Sequence, residues 1–257
     1  MSGKLNALAN YLWSLAPGAA STPSLSGVHL VAHRGAHDHG GGRVENTLAA
    51  FDACLASGVW GVEMDIRLTR DLEPVIHHDA DCGRLFRRPD LKISDIDFST
   101  LRAELPDIPH LDEIVDRYGG RMHLMLEIKE SWLERSGLVQ SITERLGNLV
   151  PENDYHLLAL VPDFLEGFVA IPPSAYIDVA QTNTNAILKQ TLALGHGAMA
   201  GSFALIGDGT LKKLRAAGCR VGTGMVDCRR VLNREATREI DWIFTDNISM
   251  LQPLLLR

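Results

Sequence analysis

The sequence predicts an α/β protein folded as a (β/α)8 TIM barrel. Its 257 residues match one such domain, because these barrels commonly need about 250 residues. Eight short runs rich in β-branched residues alternate with amphipathic stretches, which is typical of repeated βα units. A doubly wound open sheet is the alternative, but the turn after the first strand lacks the glycine spacing that such sheets use for dinucleotides.

The alternation can be followed along the whole chain. The predicted strands lie at residues 29–34, 60–68, 121–128, 155–161, 174–180, 197–204, 219–226 and 241–245. Between them, helices are predicted at residues 46–57, 111–118, 134–147, 163–170, 184–194, 209–217 and 229–238, and the tail from residue 248 supplies the last.

Residues 1–26 are predicted to form an N-terminal amphipathic helix and a connector, and residues 27–257 a single barrel domain. Four leucines recur at helical spacing, which predicts that this face of the helix packs on the domain. They are Leu5, Leu8, Leu12 and Leu15. A cleaved signal peptide is the alternative, but polar residues interrupt its apolar run, which favours the helix and a cytoplasmic protein.

Composition argues against several classes of protein. A net charge of −7 disfavours binding to nucleic acid, which depends on basic residues that neutralise phosphates. The four cysteines lack paired spacing and are expected to be free thiols. No later window approaches the roughly 20 apolar residues of a membrane span, so stable membrane insertion is not expected. The sequence leaves the oligomeric state open.

The loop after the first strand contains Gly40, Gly41 and Gly42. These glycines are typical of a flexible loop tip, although a glycine cluster can also expose backbone N–H groups to an anion. Asn46 or Thr47 is then expected to cap the first helix of the barrel.

A small insertion after the second strand is predicted at about residues 80–110, where the alternation of strands and helices fails. Arg84, Arg87 and Arg88 make this segment locally basic. These arginines could form either a solvated face or a lid that guides an anionic substrate, and the sequence leaves both interpretations open.

Charged side chains gather where the predicted strands end, and these ends meet at one mouth of a barrel. Glu63 and Asp65 share one face of the second strand because side chains alternate along a strand. Glu127 ends the third strand. Three carboxylates with little sulfur nearby favour a hard cation such as Ca²⁺ or Mg²⁺ over zinc.

Two histidines and two basic residues accompany the carboxylates. His33 ends the first strand and His78 follows an extension of the second, where each could bind a metal or exchange protons near neutral pH. Arg34 and Lys129 offer hydrogen-bond donors for a phosphate. Together with the carboxylates they predict metal-assisted phosphoryl transfer.

At these residues the sequence resembles the glycerophosphodiester phosphodiesterase family. The resemblance is specific over roughly residues 30–130, and the closing strand Ile240–Asn247 also resembles the family's last element. The motifs that carry it are His33-Arg34-Gly35, Glu45-Asn46-Thr47, Glu63-Met64-Asp65, Thr69-Arg70-Asp71, the run from Pro74 to His78-Asp79, and Glu127-Ile128-Lys129.

The resemblance implies a role for each matching residue. Glu63, Asp65 and Glu127 would hold the divalent cation, and Arg34 and Lys129 would hold the phosphate. His33 and His78 would form the acid/base pair, with His78 preferred to His77 because it directly precedes Asp79. Glu45, Asn46 and Asp79 would lie in or beside the ligand set.

The implied activity is hydrolysis of a small glycerophosphodiester to a phosphomonoester and an alcohol. Two alternatives are a lyase similar to sphingomyelinase D, which forms a cyclic phosphate from lysolipids, and a non-catalytic barrel that binds phosphorylated polyols. The family commonly has a Trp-Thr pair in the seventh strand, whereas this chain has Gly224-Met225 there. This difference, like the longer first loop, leaves the accepted alcohol open.

Overall fold

The structure is a computed structural model that describes residues 3–38 and 42–256. The loop tip predicted at Gly40, Gly41 and Gly42 therefore lies largely outside the described residues. Within them, the structure has ten helices and eleven strands. The strands are β1 (His29–His33), β2 (Gly61–Leu68), β3 (Pro74–Ile76), β4 (Asp81–Cys82), β5 (Arg88–Lys92), β6 (His123–Ile128), β7 (Tyr155–Ala159), β8 (Tyr176–Ala180), β9 (Ala198–Ser202), β10 (Arg220–Gly224) and β11 (Trp242–Thr245).

Eight parallel strands close into a barrel, which confirms the predicted fold. Around the barrel they run in the order β1, β2, β6, β7, β8, β9, β10 and β11, and the pairing of β1 with both β2 and β11 closes the ring. Each predicted strand corresponds to one of these eight. The short β3 pairs with β2 in antiparallel fashion at the rim.

The helices surround the barrel. They are α1 (Gly3–Trp13), α2 (Leu48–Ser57), α3 (Gly83–Phe86), α4 (Phe98–Glu104), α5 (Leu111–Tyr118), α6 (Leu138–Leu146), α7 (Thr184–Leu194), α8 (Asp208–Ala216), α9 (Arg229–Thr237) and α10 (Ile248–Leu255). The helix predicted at 163–170 is wrong: a 3-10 turn at Pro162–Phe164 leads into irregular chain there. Pro162, Gly167 and the Pro172-Pro173 pair break this short segment before a regular helix can form.

The interior of the barrel is layered because side chains alternate along each strand. Outward residues of β2 and β6 pack against the helices in the main hydrophobic core. The middle of the bore is filled by apolar side chains, among them Val31, Met125, Leu158 and Phe244. Above that layer, at the C-terminal ends of the strands, the inward positions carry the charged residues of the predicted site.

The N-terminal end of the bore is closed by stacked rings. Trp60 lies between His29 and His123, with ring centroids 4.4 and 4.3 Å apart. His123 Nε2 lies 2.7 Å from Nδ1 of the fully buried His156. Trp60, His29, His123 and His156 thus form a plug of rings, at the opposite end of the barrel from the predicted site.

The first barrel helix, α2, is capped by Thr47 rather than Asn46. The Thr47 side chain accepts a hydrogen bond from the backbone N–H of Ala50, and Gly58 ends the helix in the left-handed conformation. Asn46 is thereby left to turn its side chain toward the bore.

The predicted helix at the N-terminus is present as α1, but the face expected to be buried is wrong. Leu5, Leu8, Leu12 and Leu15 are about half exposed or more, with Leu15 at 63%. The buried face instead carries Asn6 and Asn10. Their amides find hydrogen-bond partners on the domain, which offsets the cost of burying them.

The predicted insertion after the second barrel strand is present. It contains the β4–β5 pair, α3, a 3-10 turn at Ile93–Asp95, and α4. A small apolar cluster, which includes Val75, Ile93 and Leu101, joins it to the barrel rim. Across residues 3–38 and 42–256, no helix combines the length and the apolar character needed to cross a membrane.

Candidate active site

Three carboxylates meet in the bore at the ends of β2 and β6. Single oxygens of Glu63, Asp65 and Glu127 lie within 4.8 Å of one another. The strand register sets this spacing, because Asp65 lies opposite Glu127. Burial and the nearby charge of Asp65 raise the pKa of Glu63 to about 8 and also raise that of Glu127. A bound cation would relieve this repulsion.

His33 lies at the edge of the carboxylate cluster. Its Nδ1 is 2.6 Å from Asp246 Oδ1, and its Nε2 is 3.8 Å from Glu63 Oε2. Burial lowers the pKa of His33, but Glu63 and Asp246 outweigh burial and raise it to about 9. The carboxylate of Asp246 fixes the orientation of the ring and leaves Nε2 as the atom that faces the cluster.

Arg34 reaches the cluster because the chain turns sharply after β1. Its φ is +55°, a left-handed conformation that costs energy for a residue other than glycine, and the following Gly35 has φ +85°. In this turn the backbone N–H of Arg34 donates to Glu63 Oε2 at 3.1 Å. Its guanidinium contacts Asp65 Oδ2 at 3.3 Å and donates to Glu45 Oε1 at 2.8 Å.

Asn46 lies against this turn, at the start of α2. Its φ is +57°, and its backbone N–H donates to the carbonyl of Arg34. Its side-chain Nδ2 donates to Asp65 Oδ2 at 2.7 Å. The neighbouring Gly35 packs so closely on α2 that an added Cβ would lie 2.8 Å from the Cβ of Ala50. Arg34 and Asn46, both left-handed and joined by this backbone hydrogen bond, thus hold Asp65 in place.

Lys129 lies within the carboxylate cluster. Its Nζ donates to Glu127 Oε1 at 2.6 Å and lies 3.2 Å from Asp65 Oδ1. Burial raises the pKa of Asp65, but the charges of Lys129 and Arg34 outweigh burial and lower it to about 2. The lysine predicted to contact phosphate is therefore paired with two of the three carboxylates.

His78 sits on the insertion side of the mouth and is held by its neighbour. Its Nδ1 lies 2.7 Å from Asp79 Oδ1, and its backbone carbonyl accepts a hydrogen bond from Nε of Arg67 at 2.9 Å. Burial lowers the pKa of His78. His77 is buried on the other face, where its Nε2 lies 3.1 Å from the carbonyl oxygen of Asp81.

Glu45 and Asp79 are linked by Arg84 from the insertion. Arg84 donates to Asp79 Oδ2 at 2.6 Å and to both oxygens of Glu45 at 3.0 and 2.8 Å. Burial raises the pKa of Glu45, but Arg84 and Arg34 outweigh it and lower it to about 2. Glu45 thus binds two arginines and lies outside the three-carboxylate cluster. Arg88, in contrast, pairs at the surface with Asp90 and Glu104.

The sequence did not point to Asp246 or Arg67 as site residues, and it named Arg84 only as one of three arginines in a basic segment. Asp246 follows β11 directly, and a carboxylate immediately after a barrel strand was the available signal. Arg67 could have been found from alternation, because it is two residues beyond Asp65 on the inward face. Local charge did not distinguish Arg84 from Arg87 and Arg88, since the path of an insertion is not set by strand periodicity.

Comparison with known protein families gives a match over part of the chain. The model of the glycerophosphoryl diester phosphodiesterase family matches residues 33–146, which include His33, His78 and the three clustered carboxylates. Residues 33–146 belong to this family. The family predicted from the sequence motifs is thereby confirmed, and the match ends before the strands from β7 onward.

A curated relative supports the same glycerophosphodiester phosphodiesterase assignment. The glycerophosphodiester phosphodiesterase of Bacillus altitudinis is 28% identical over 154 residues, which cover 55% of this chain and 60% of the relative. The matched stretch is thus less than two thirds of the relative's own length.

Two solved structures share the fold of this chain. The glycerophosphodiester phosphodiesterase of Thermotoga maritima superposes with a TM-score of 0.73 at 24% identity, covering 88% of this chain and 98% of that one. A phosphodiesterase from Oleispira antarctica, in complex with the product sn-glycerol-3-phosphate, superposes with a TM-score of 0.74 at 22% identity. That match covers 89% of this chain and 97% of the other. At these identities the likeness concerns the barrel fold.

Proposed function

We propose that the chain is a metal-dependent phosphodiesterase that hydrolyses a small glycerophosphodiester to a phosphomonoester of the glycerol 3-phosphate type and an alcohol. The observation that carries this proposal is the buried cluster of Glu63, Asp65 and Glu127 beside two histidines, each bound to a carboxylate. The family match over residues 33–146 supports it. A cytoplasmic location stays a prediction.

The residues present fit a hard divalent cation, Ca²⁺ or Mg²⁺. Glu63 Oε1 is buried and has no hydrogen-bond partner among the described residues, and Asp65 Oδ1 is buried with only the ammonium of Lys129 beside it, at 3.2 Å. Carboxylate oxygens are the ligands that these cations take. Glu63, Asp65 and Glu127 would hold the ion, which when bound neutralises charge that develops on the phosphoryl group.

Hydrolysis needs two proton transfers. In one, the oxygen of the attacking water bonds to phosphorus while a proton of that water passes to one histidine. In the other, the phosphorus–oxygen bond to the alcohol breaks, and the departing oxygen takes a proton from the second histidine. Because Asp246 and Asp79 each bind Nδ1, Nε2 of His33 and His78 is the atom available for these transfers.

Arg34 and Lys129 are proposed to bind the phosphate. Both already neutralise carboxylates of the site, so their charge offsets part of the cost of bringing an anionic substrate near Asp65 and Glu127. The guanidinium of Arg34 is 17% exposed at the mouth and can offer donors to an incoming oxygen.

A lyase that acts on lysolipids remains the second candidate. The observation that favours it is the exposed leucine face of α1, because α1 contacts the chain at the C-terminal end of β10, beside the mouth. An acyl chain needs apolar surface of this kind. A cyclic phosphate product from lysophosphatidylcholine would distinguish this reaction from hydrolysis.

The test is turnover of glycerophosphocholine and lysophosphatidylcholine with Ca²⁺ or Mg²⁺, before and after chelation. We expect the first substrate to be hydrolysed, and His33→Ala or His78→Ala to reduce kcat by about 10² to 10⁴ because a proton transfer is lost. His29→Asn, at the opposite end of the bore, is the matched control. Unchanged turnover in excess chelator, or in both site variants, would rule the proposal out.

A further inference from the structure

Helix α1 contacts the chain at the mouth of the barrel. Its Trp13 ring packs edge-on against Phe203, just beyond β9, with centroids 6.3 Å apart. Its buried face, formed by Asn6 and Asn10, covers the segment that follows β10. α1 is therefore placed where the C-terminal ends of the barrel strands open.

Three hydrogen bonds tie α1 to this segment. Asn6 Nδ2 donates to Asp227 Oδ2 at 2.5 Å, and Asn10 Nδ2 donates to the carbonyl of Met225 at 3.0 Å. In return, the backbone N–H of Asp227 donates to Asn10 Oδ1 at 2.9 Å. Residues four apart share one face of a helix, so these two amides grip Asp227 from the same side.

Asp227, held by these two amides, contacts the segment that carries Asp246. Asp227 Oδ1 accepts a hydrogen bond from Thr245 Oγ1, and its carbonyl accepts one from Asn247 Nδ2, both at 3.4 Å. Asn247 is fixed in turn by its backbone N–H, which donates to Thr245 Oγ1 at 2.8 Å. Asp246 lies between these two residues, and its carboxylate binds His33.

This arrangement is unusual for a helix whose only role is packing. Such a helix buries its apolar stripe and exposes its polar residues. α1 instead turns Asn6 and Asn10 inward beside Trp13 and leaves its leucines toward solvent. Buried amides are costly without partners, so the contacts that they make are the reason for this orientation.

We propose that α1 is part of the active site and that Asn6 and Asn10 are positioning residues. They hold Asp227, and through Thr245 and Asn247 they hold Asp246 in the position that orients His33. This inference rests on the proposed phosphodiesterase activity for its kinetic effect, whereas the link to His33 is independent of any activity.

The experiment compares full-length variants. Asn6→Asp places two carboxylates face to face, and we expect kcat to fall about tenfold with KM changed less than about twofold, since a misplaced catalytic group affects the chemical step. Adding Asp227→Asn restores a donor opposite an acceptor, so the double variant should recover most of the lost kcat. Lys4→Ala, at an exposed position of α1, is the control and should match the wild-type chain.

A second readout does not depend on turnover. The imidazole nitrogen and proton resonances of His33 report its hydrogen bond to Asp246, and we expect them to move in Asn6→Asp and return in the double variant. If the wild-type chain is inactive but these shifts occur, the proposed function fails and the positioning role stands. If neither kcat nor the His33 resonances respond in Asn6→Asp, the inference is overturned, whatever the activity of the wild-type chain.

Discussion

At the scale of single residues, each proposed acid/base histidine has its own carboxylate partner. His33 pairs with Asp246 and His78 with Asp79, at 2.6 and 2.7 Å. The two partners come from distant parts of the chain, one after the last strand and one directly beside its histidine. Each carboxylate binds Nδ1 of its histidine, which leaves Nε2 as the nitrogen that can act on substrate.

The Asp246 partnership leads to a direct prediction. Asp246→Asn removes the negative charge that fixes the His33 ring, so we expect kcat to fall by about 10² or more while KM changes little. The measurement is steady-state turnover of glycerophosphocholine. Asp208→Asn, a highly exposed carboxylate at the start of α8, is the control and should retain full turnover. A wild-type kcat in Asp246→Asn would show that Asp246 has no part in the reaction.

At the scale of elements, the strands of the barrel carry different chemistry at their two ends. The inward face of β1 carries His29, Val31 and His33, and that of β6 carries His123, Met125 and Glu127. The N-terminal ends supply the ring plug, the middle supplies apolar packing, and the C-terminal ends supply charge. Stability and function thus occupy separate layers of the same strands.

The plug predicts a pH dependence of stability. Burial lowers the pKa of His123 to about 4 and that of His156 to about 3, so both are neutral in the fold. In the unfolded chain they protonate below about 6.5, so the unfolded state binds more protons as the pH falls from 6.5 toward 4. The free energy of unfolding should therefore decrease over that range. Arg220, above the Trp242 ring, lowers both pKa values further.

Urea unfolding between pH 4.5 and 7.5 measures this effect. His156→Gln should show a smaller loss of stability over the range than the wild-type chain, because one buried imidazole no longer titrates. Tyr155→Phe, on the outward face of the same strand, removes no imidazole and should keep the wild-type slope. Equal slopes in all three chains would contradict the assignment of this pH dependence to the plug.

At the scale of the whole molecule, the sequence predicted what depends on periodicity. The eight barrel strands and the convergence of Glu63, Asp65 and Glu127 follow from alternation and from the geometry of a closed parallel sheet. The sequence left Asn46 and Thr47 as alternative caps of α2, and Thr47 is the one that caps it. The family match over residues 33–146 confirms the motifs in the same region.

The features that periodicity does not determine were not predicted correctly. The leucines of α1 gave a clear apolar face, but the amides of Asn6 and Asn10 had partners on the domain that no local pattern shows. The helix expected at 163–170 failed because proline and glycine outweighed its apolar spacing. The partnership of His33 with Asp246 joins residues 213 apart in sequence, which only the closed barrel brings together.

The central claim is that Glu63, Asp65 and Glu127 form a cation site, and calorimetric titration with Ca²⁺ and Mg²⁺ tests it most directly. We predict that the wild-type chain binds one ion, with stabilisation of about 2.7 kcal/mol at about 100 times Kd. Glu63→Gln and Asp65→Asn should weaken this binding strongly, whereas Glu104→Gln, an exposed carboxylate of the insertion, should not. Equal affinity in the wild-type chain and in Glu63→Gln would contradict the claim.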